Sequence, residues 1–262
     1  MKKLWLAVLA ALGLALGAAA PAGAVTDGAL DGNDHPYVGL MVAKDASGAP
    51  LWRCSGTLLS PTVYLTAGHC TESPAAHVEI WFAADVQSGV PANGYPTKGE
   101  VSGTPHTIPS YDPDAFFLHD VGVVVLDRPM AMSTYGKLPG LDQLDALKPR
   151  RSTTFTSVGY GLQKAFPDAA SWKESALKIR MVAHPHLLQV NTGFTGPQSL
   201  LLSNNANTGG TCFGDSGGPN FLGTSNVVAG VTSFGINPTC GGTGGVFRTD
   251  RADVLAFVNS YL

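Results

Sequence analysis

The sequence is poor in charged residues, and the two signs nearly balance. Asp, Glu, Lys and Arg make up 13% of its 262 residues, and the formal net charge is -3. Proteins that bind nucleic acid or lie on anionic membranes usually carry clustered Lys and Arg. The sequence has no such cluster, so we expect neither nucleic acid nor a membrane as a partner of the processed chain.

Long apolar runs are missing after the first residues. Two lysines precede an apolar run from Leu4 to about Ala20, and small residues follow directly up to Ala24. This order is typical of a secretory signal peptide. A membrane anchor is the alternative, but the run is short for a bilayer span of about 20 residues. We predict a signal peptide over residues 1–24 and a secreted, extracellular mature chain.

No two cysteines follow C-x-x-C spacing, which argues against a zinc site. The four cysteines fall into two local pairs, Cys54 with Cys70 and Cys212 with Cys240. An even set in an exported chain predicts two disulfides, because the chain folds in an oxidising compartment. We predict no metal site and no cofactor.

Turn-forming residues interrupt short apolar runs throughout the chain, with 32 glycines and 18 prolines. Many short strands and few helices follow, so the predicted fold class is all-β. The candidate strands are Tyr37–Ala43, Gly56–Leu59, Val63–Thr66, Val78–Ala83, Val121–Leu126, Thr154–Gly159, Ala176–Val182, Val227–Ser233 and Gly245–Arg248. Helical spacing occurs only at the C-terminus, from Val254 to Leu262.

A serine flanked by glycines is the first sign of chemistry. In the segment from Cys212 to Pro219, Ser216 follows Gly214 and Asp215 and precedes two glycines. Glycines let backbone N–H groups crowd around a reacting carbonyl, which suits a nucleophile. Taken alone, the segment is better explained as a glycine-rich turn.

A serine hydroxyl needs a base, and the base needs an orienting group. His69 follows an apolar strand and directly precedes Cys70, and Asp120 stands at the start of the apolar run that ends at Leu126. Because both residues occupy distinctive settings, we predict a catalytic triad of His69, Asp120 and Ser216.

These three segments, in His, Asp, Ser order and with both cysteine pairs, resemble the chymotrypsin-like (trypsin-fold) serine peptidases, in particular secreted bacterial-type members. The resemblance implies two six-stranded antiparallel β-barrels, an active site in the cleft between them and a C-terminal helix. It places the first barrel at 25–140, carrying His69 and Asp120. The second barrel lies at 141–262 and carries Ser216.

The segment Gly214–Gly218 also fits the G-x-S-x-G nucleophile elbow of α/β-hydrolases. In that fold the histidine follows the serine along the chain. The last histidine here is His186, which precedes Ser216, so chain order excludes an α/β-hydrolase.

The resemblance also assigns roles. His69 would act as the general base, Asp120 would orient it, and the N–H groups of Gly214 and Ser216 would form the oxyanion hole. The segment Ser233–Gly235, which includes Phe234, would pair with the substrate backbone.

The same resemblance places the pocket for P1, the substrate residue before the scissile bond. Gly210 and Thr211 would lie at its base, and Gly235 and Gly245 would form its walls. Because no charged residue occupies these positions, we expect an apolar P1 residue. The substrate is then a protein or peptide, and the enzyme is expected to be a monomer.

Relatives start the mature chain with an apolar residue whose ammonium pairs with the aspartate before the nucleophile. Here Val25 would pair with Asp215, and removal of the signal peptide would create that ammonium. The alternative is a relaxed or absent insertion, since Thr26 replaces the usual valine. A second functional class is a catalytically inactive homologue that serves as an extracellular binding module.

Overall fold

The computed structural model describes residues 25–164, 176–193 and 196–262. The predicted signal peptide lies outside the described residues. Within those ranges, no helix has the length and apolar character needed to cross a membrane.

Strands dominate the described chain. In order they are β1 (Ala29–Leu30), β2 (Val38–Lys44), β3 (Pro50–Leu58), β4 (Val63–Thr66), β5 (His77–Trp81), β6 (Val101–Thr107), β7 (Gly122–Leu126), β8 (Arg150–Gly159), β9 (Met181–Ala183), β10 (His186–Thr192), β11 (Gly196–Asn204), β12 (Pro219–Leu222), β13 (Val228–Gly235) and β14 (Gly242–Arg248). The helix α1 (Ala252–Asn259) follows and buries Val254 and Val258. The predicted C-terminal helix is confirmed, although it ends before Leu262.

The first barrel closes in the order β2, β3, β4, β7, β6, β5. The paired strands β4 and β7 are rich in β-branched residues, which favour strands because they pack well on a pleated surface. Val63 pairs with Val125, and Leu65 pairs with Val123. All four residues of β4 are buried, so this strand forms part of the core of the barrel.

The second barrel consists of β8, β10, β11, β14, β13 and β12, and it closes because β12 pairs back to β8. Strands β9 and β1 continue the same sheet outward from β8. The all-β prediction with two six-stranded antiparallel barrels is therefore confirmed. The strands of the two barrels lie on either side of the predicted boundary at residues 140 and 141.

Both predicted disulfides are present. Cys54 in β3 binds Cys70, which follows β4, and Cys212 binds Cys240. The first bond fixes the turn after β4 to the neighbouring strand. The second joins the segment before Ser216 to the loop between β13 and β14.

The predicted strand at 176–182 is shorter than expected and starts at Met181. The residues before it turn toward the first barrel instead: Ile179 forms an isolated bridge with Asp85, and the Arg180 N–H donates to the Ala84 carbonyl. The backbone groups of this stretch are thus satisfied by the other barrel and not by a strand of their own.

Arg180 is fully buried where the N-terminal segment and both barrels meet. Its Nε donates to Asp31 Oδ2 over 2.8 Å, and Nη1 donates to the carbonyls of Val38 and Phe82 and to the Tyr160 hydroxyl. Burial alone would raise the pKa of Asp31, but bonds to His35 and Arg180 outweigh it and lower the pKa. A buried charge is tolerated only with such partners.

Candidate active site

His69 lies in a short 3-10 turn, Gly68–Cys70, directly after β4. The preceding Ala67 is extended, so the chain leaves the barrel before it turns. The disulfide from Cys70 to Cys54 attaches this turn to β3. The position of the imidazole is therefore set by a strand end and a covalent bond.

Asp120 precedes β7 and its side chain is fully buried. Its carboxylate accepts hydrogen bonds from His69 Nδ1 at 2.9 Å, from the His69 backbone N–H at 2.9 Å and from Ser233 Oγ at 2.5 Å. Because Ser233 belongs to β13, this carboxylate connects the two barrels. The predicted pairing of Asp120 with His69 is present.

The pKa of His69 reflects two opposing effects. Burial of the imidazole lowers it, whereas the negative charge of Asp120 and the hydrogen bond to it raise it, with a further contribution from Glu72. The net direction is upward from the ordinary value of 6.5. The bond to Asp120 thus stabilises the protonated ring that a general base becomes when it accepts a proton.

Ser55 holds the loop that carries Ser216. Its backbone N–H donates to the Ser216 carbonyl over 2.8 Å, and its Oγ donates to the Gly214 carbonyl over 2.9 Å. The same Oγ accepts the Tyr160 N–H. Ser55 was not predicted from the sequence, because it lies 159 residues from Gly214 and has no motif of its own.

Two glycines in this loop have left-handed backbone conformations, Gly214 with φ +93° and Gly217 with φ +76°. A Cβ on Gly217 would lie 2.0 Å from Thr66 Oγ1, so a side chain is excluded there. Within the described ranges, the N–H groups of Gly214 and Ser216 donate to no other backbone or side-chain group. Both N–H groups remain available to an external acceptor.

His69 and Ser216 line one cavity of about 610 Å³. In the part of the chain that the structure describes, no hydrogen bond joins the two side chains. Catalytic hydrogen bonds are often long in unliganded sites and tighten with substrate. The ring of Phe116 packs edge-on against His69 at a centroid distance of 5.6 Å and covers one side of the base.

The predicted substrate-binding residues separate into two groups. Lining the cavity are Thr211, Ser233, Phe234 and Gly235. Gly245 instead faces the ring of Phe234, which lies 2.4 Å from the position of a Cβ on that glycine.

Gly210 is covered by a buried polar side chain. A Cβ there would lie 2.2 Å from Asn204 Cγ. Asn204 accepts from Thr26 Oγ1 and donates to the Thr211 carbonyl, so an uncharged amide lies beneath this segment.

Asp215 is fully buried and accepts the N–H groups of Cys212 at 2.9 Å and Gly161 at 2.8 Å. Burial raises the pKa of Asp215 to about 7, and neither the two backbone bonds nor Arg53 offsets that effect. Val25 is also buried, in a cluster with Met181. In this chain the Val25 nitrogen is an amide that follows residue 24, so its predicted pairing with Asp215 stays a prediction.

Three residues of the types that bind metal ions lie together at the proposed general base: Cys54, His69 and Cys70. Both sulfur atoms are joined in a disulfide, and disulfide sulfur offers no thiolate to a metal. His69 Nδ1 already donates to the Asp120 carboxylate. These residues do not fit a metal centre.

The family profile described as Trypsin matches residues 30–256. The chain belongs to the trypsin family. This membership covers both barrels and the site between them. It implies protein or peptide substrates.

Curated relatives in this family differ in their described roles. The chain is 28% identical over 217 residues to Brachyurin from Leptuca pugilator, covering 79% of this chain and 84% of that protein. It is 28% identical over 215 residues to Glucanase inhibitor protein 1 from Phytophthora sojae, covering 80% and 75%. The match to Ovochymase from Halocynthia roretzi spans only 12% of that protein. These relatives are eukaryotic and do not support the bacterial-type expectation.

Solved structures share the fold. A collagenase structure aligns with a TM-score of 0.65 at 21% identity, covering 86% of this chain and 93% of the other. A scabies mite inactivated protease paralogue aligns with a TM-score of 0.65 at 15% identity, covering 90% and 97%. The fold is therefore shared by proteins described as enzymes and by a protein described as inactivated.

The buried Asp215 predicts a pH-dependent stability for a chain that starts at Gly23, where Val25 carries no ammonium. Its folded pKa of about 7 exceeds the ordinary value of 3.8. The native state then binds more protons than the unfolded state between these pH values, so the unfolding free energy falls as pH rises through that window. The fall should reach roughly 4 kcal/mol.

Urea titrations from pH 4 to pH 8 measure this effect. The Asp215→Asn variant is the matched control, because its side chain does not titrate. It should lack the part of the fall that Asp215 causes, while the smaller contribution of His69 remains in both chains. Equal slopes in the two chains would contradict the assignment of the effect to Asp215.

Proposed function

We propose that the chain is a secreted serine endopeptidase that hydrolyses peptide bonds through His69, Asp120 and Ser216. The observation that supports this most directly is the buried Asp120 carboxylate, which holds His69 Nδ1 inside the cavity that Ser216 also lines. Membership of the trypsin family supports the same reaction class.

In the proposed reaction, Ser216 Oγ attacks the scissile carbonyl carbon and His69 accepts its proton. The tetrahedral intermediate then collapses, the C–N bond breaks, and His69 donates the proton to the leaving amine. An acyl ester remains on Ser216. Water, deprotonated by His69, attacks the ester carbonyl. The bond to Ser216 Oγ then breaks, the acid product leaves, and His69 returns the proton to Oγ. Asp120 stabilises the protonated imidazole in both steps.

The negative charge on the carbonyl oxygen would be stabilised by the N–H groups of Gly214 and Ser216. Neither group is used within the described chain, and the carbonyls of the same two peptides, those of Phe213 and Asp215, accept from the N–H groups of Leu162 and Gly218. A preorganised donor of this kind contributes about 3 to 4 kcal/mol to the transition state. The positive φ of Gly214 sets the direction of its peptide group.

The substrate backbone would lie along Ser233–Gly235, at the end of β13 that borders the cavity. The residues around the proposed P1 pocket are uncharged: Thr211, Phe234 and the amide of Asn204 beneath Gly210. These surroundings favour an apolar P1 side chain. Gly245 would contribute to the wall when the Phe234 ring moves away from it.

Val25 would become the mature N-terminus and pair with Asp215. Thr26 already forms an antiparallel bridge with Gly210, so the N-terminal segment runs beside the proposed pocket. In a chain that starts at Val25, an ammonium close to Asp215 would lower the pKa of that carboxyl. The fall of stability between pH 4 and pH 7 should then shrink to below about 1 kcal/mol. N-terminal sequencing of the secreted protein checks the start.

A second candidate function is a catalytically inactive homologue that binds a partner outside the cell. Two observations favour it: a relative is named a glucanase inhibitor, and His69 and Ser216 share no hydrogen bond in the described chain. Reaction with a serine-directed reagent separates the two candidates, because only an activated hydroxyl is acylated or phosphonylated rapidly.

For an active enzyme, a fluorophosphonate should label one residue per chain, and Ser216→Ala should abolish labelling and lower kcat by about 10⁶-fold. Ser225→Ala, an exposed serine on a turn, is the matched control and should keep full labelling. Because the pKa of His69 is raised, labelling should fall on the acid side at a pH above 6.5. Absence of Ser216-dependent labelling in the processed chain favours the binding module.

The P1 preference should appear in kcat/KM for peptides that differ only at that position. We expect Phe to exceed both Arg and Glu by at least about tenfold, since an uncharged pocket leaves a charged side chain without a partner. The Ser216→Ala variant controls for contaminating peptidases. A preference for Arg or Glu would contradict the apolar pocket.

A further inference from the structure

A second cavity, of about 390 Å³, lies next to the catalytic one. The two share Phe213 as a common wall. The second cavity is lined by Arg53, Tyr95, Leu162, Ala176, Lys178, Phe213 and Gly214. It combines two cationic side chains with an apolar floor, and it contains no residue of the proposed triad.

The two cations of this cavity have no carboxylate partner among the residues that the structure describes. Among the described residues, no Asp or Glu lies within 4.0 Å of the Arg53 guanidinium or the Lys178 ammonium. Both side chains are half-buried, and the Lys178 ammonium lies 5.6 Å from the centroid of the Tyr95 ring. Burial and the charge of Arg53 both lower the pKa of Lys178. Two like charges in one concave site attract an anion.

The charge of Arg53 lowers the pKa of Asp215, but this carboxylate is fully buried and accepts from the backbone of Cys212 and Gly161. It therefore does not occupy the cavity. The guanidinium lies against the backbone of Gly214, since a Cβ on that glycine would lie 3.0 Å from Arg53 Nη2.

The location of the cavity defines which part of a substrate can reach it. The segment Ser233–Gly235 lines the first cavity and would bind residues before the scissile bond. Phe213 separates the two cavities, and Gly214, whose N–H would meet the scissile carbonyl, lines the second one. A substrate that crosses Ser216 from one cavity to the other brings the residues after the scissile bond toward Arg53.

We propose that Arg53 and Lys178 form a binding site for a carboxylate on the leaving-group side of the substrate, within the first three residues after the scissile bond. The proposal rests on the proposed peptidase function. The guanidinium can bind both carboxylate oxygens, and the ammonium adds a third charge-assisted hydrogen bond. Where the carboxylate belongs to an Asp or Glu of the substrate, Leu162 and Tyr95 provide apolar contacts for the methylene groups of that side chain.

Two sources supply this carboxylate, namely an internal Asp or Glu side chain and the free C-terminus of a short leaving peptide. Quenched fluorescent peptides with Phe at P1 distinguish them. One set carries Glu, Gln or Lys in turn at each of the first three positions after the scissile bond, with an amidated C-terminus. The other set carries neutral residues and ends two residues after the bond, as a free acid or as an amide.

We expect kcat/KM to be about tenfold higher for the acidic member of at least one matched pair, as for other hydrogen bonds to a charged partner. Lys at the same position should be cleaved more slowly than Gln. In Arg53→Gln and Lys178→Met the ratio of acidic to neutral substrate should fall toward one. Arg53→Lys should retain part of the preference, since it keeps the charge but loses the bidentate geometry.

Arg150→Gln and Lys148→Met remove exposed cations that lie outside both cavities and should leave the ratio unchanged. Ratios within one variant cancel changes in folding or in active fraction. The neutral peptides report the peptidase function separately from the carboxylate site. If the neutral peptides are cleaved in a Ser216-dependent manner and no acidic member is preferred, the carboxylate site is wrong while the peptidase proposal stands.

Discussion

The structure around the cleft depends on one buried carboxylate, that of Asp120. It receives three hydrogen bonds from two barrels: two from His69 and one from Ser233. A carboxylate without water must be satisfied by such donors, so each barrel needs the other in order to bury it. The hydrogen bonds of Asp120 thus orient His69 and also hold the two barrels together. Any relative movement of the barrels disturbs the imidazole directly.

The loop before the nucleophile satisfies a second constraint, since it must bring backbone N–H groups together without side chains in the way. Gly214 and Gly217 permit the left-handed turns. The N–H groups of Leu162 and Gly218 donate to the carbonyls of Phe213 and Asp215, so the opposite edges of those two peptides carry the unused N–H groups of Gly214 and Ser216. The cost is the burial of Asp215, whose raised pKa shows that two backbone donors do not replace water. A nearby cation would complete the arrangement.

The strands that can be predicted from the sequence are those whose local pattern and tertiary environment agree. Val63–Thr66 is apolar and β-branched, and its predicted bounds are confirmed. Strand β6 (Val101–Thr107) was not predicted, because it contains glycine and proline, which interrupt strands in local patterns. It forms a strand because β5 and β7 pair with it on either side. The proposed triad could be predicted from the sequence because each member lies in a local motif. Ser55 and the cations beside Gly214 have none, because only folding brings them next to the loop.

Arg180 has a consequence for the modularity of this architecture. Its guanidinium donates simultaneously to the N-terminal segment, to the first barrel at Val38 and Phe82, and to Tyr160 of its own half. If the polypeptide were divided between the barrels, the second fragment would lose the Asp31 carboxylate that pairs with Arg180, and the first would lose the donor to its Val38 and Phe82 carbonyls. We therefore expect the two halves to fold as one cooperative unit. Transfer of a single barrel to another protein would have to include replacements for these partners of Arg180.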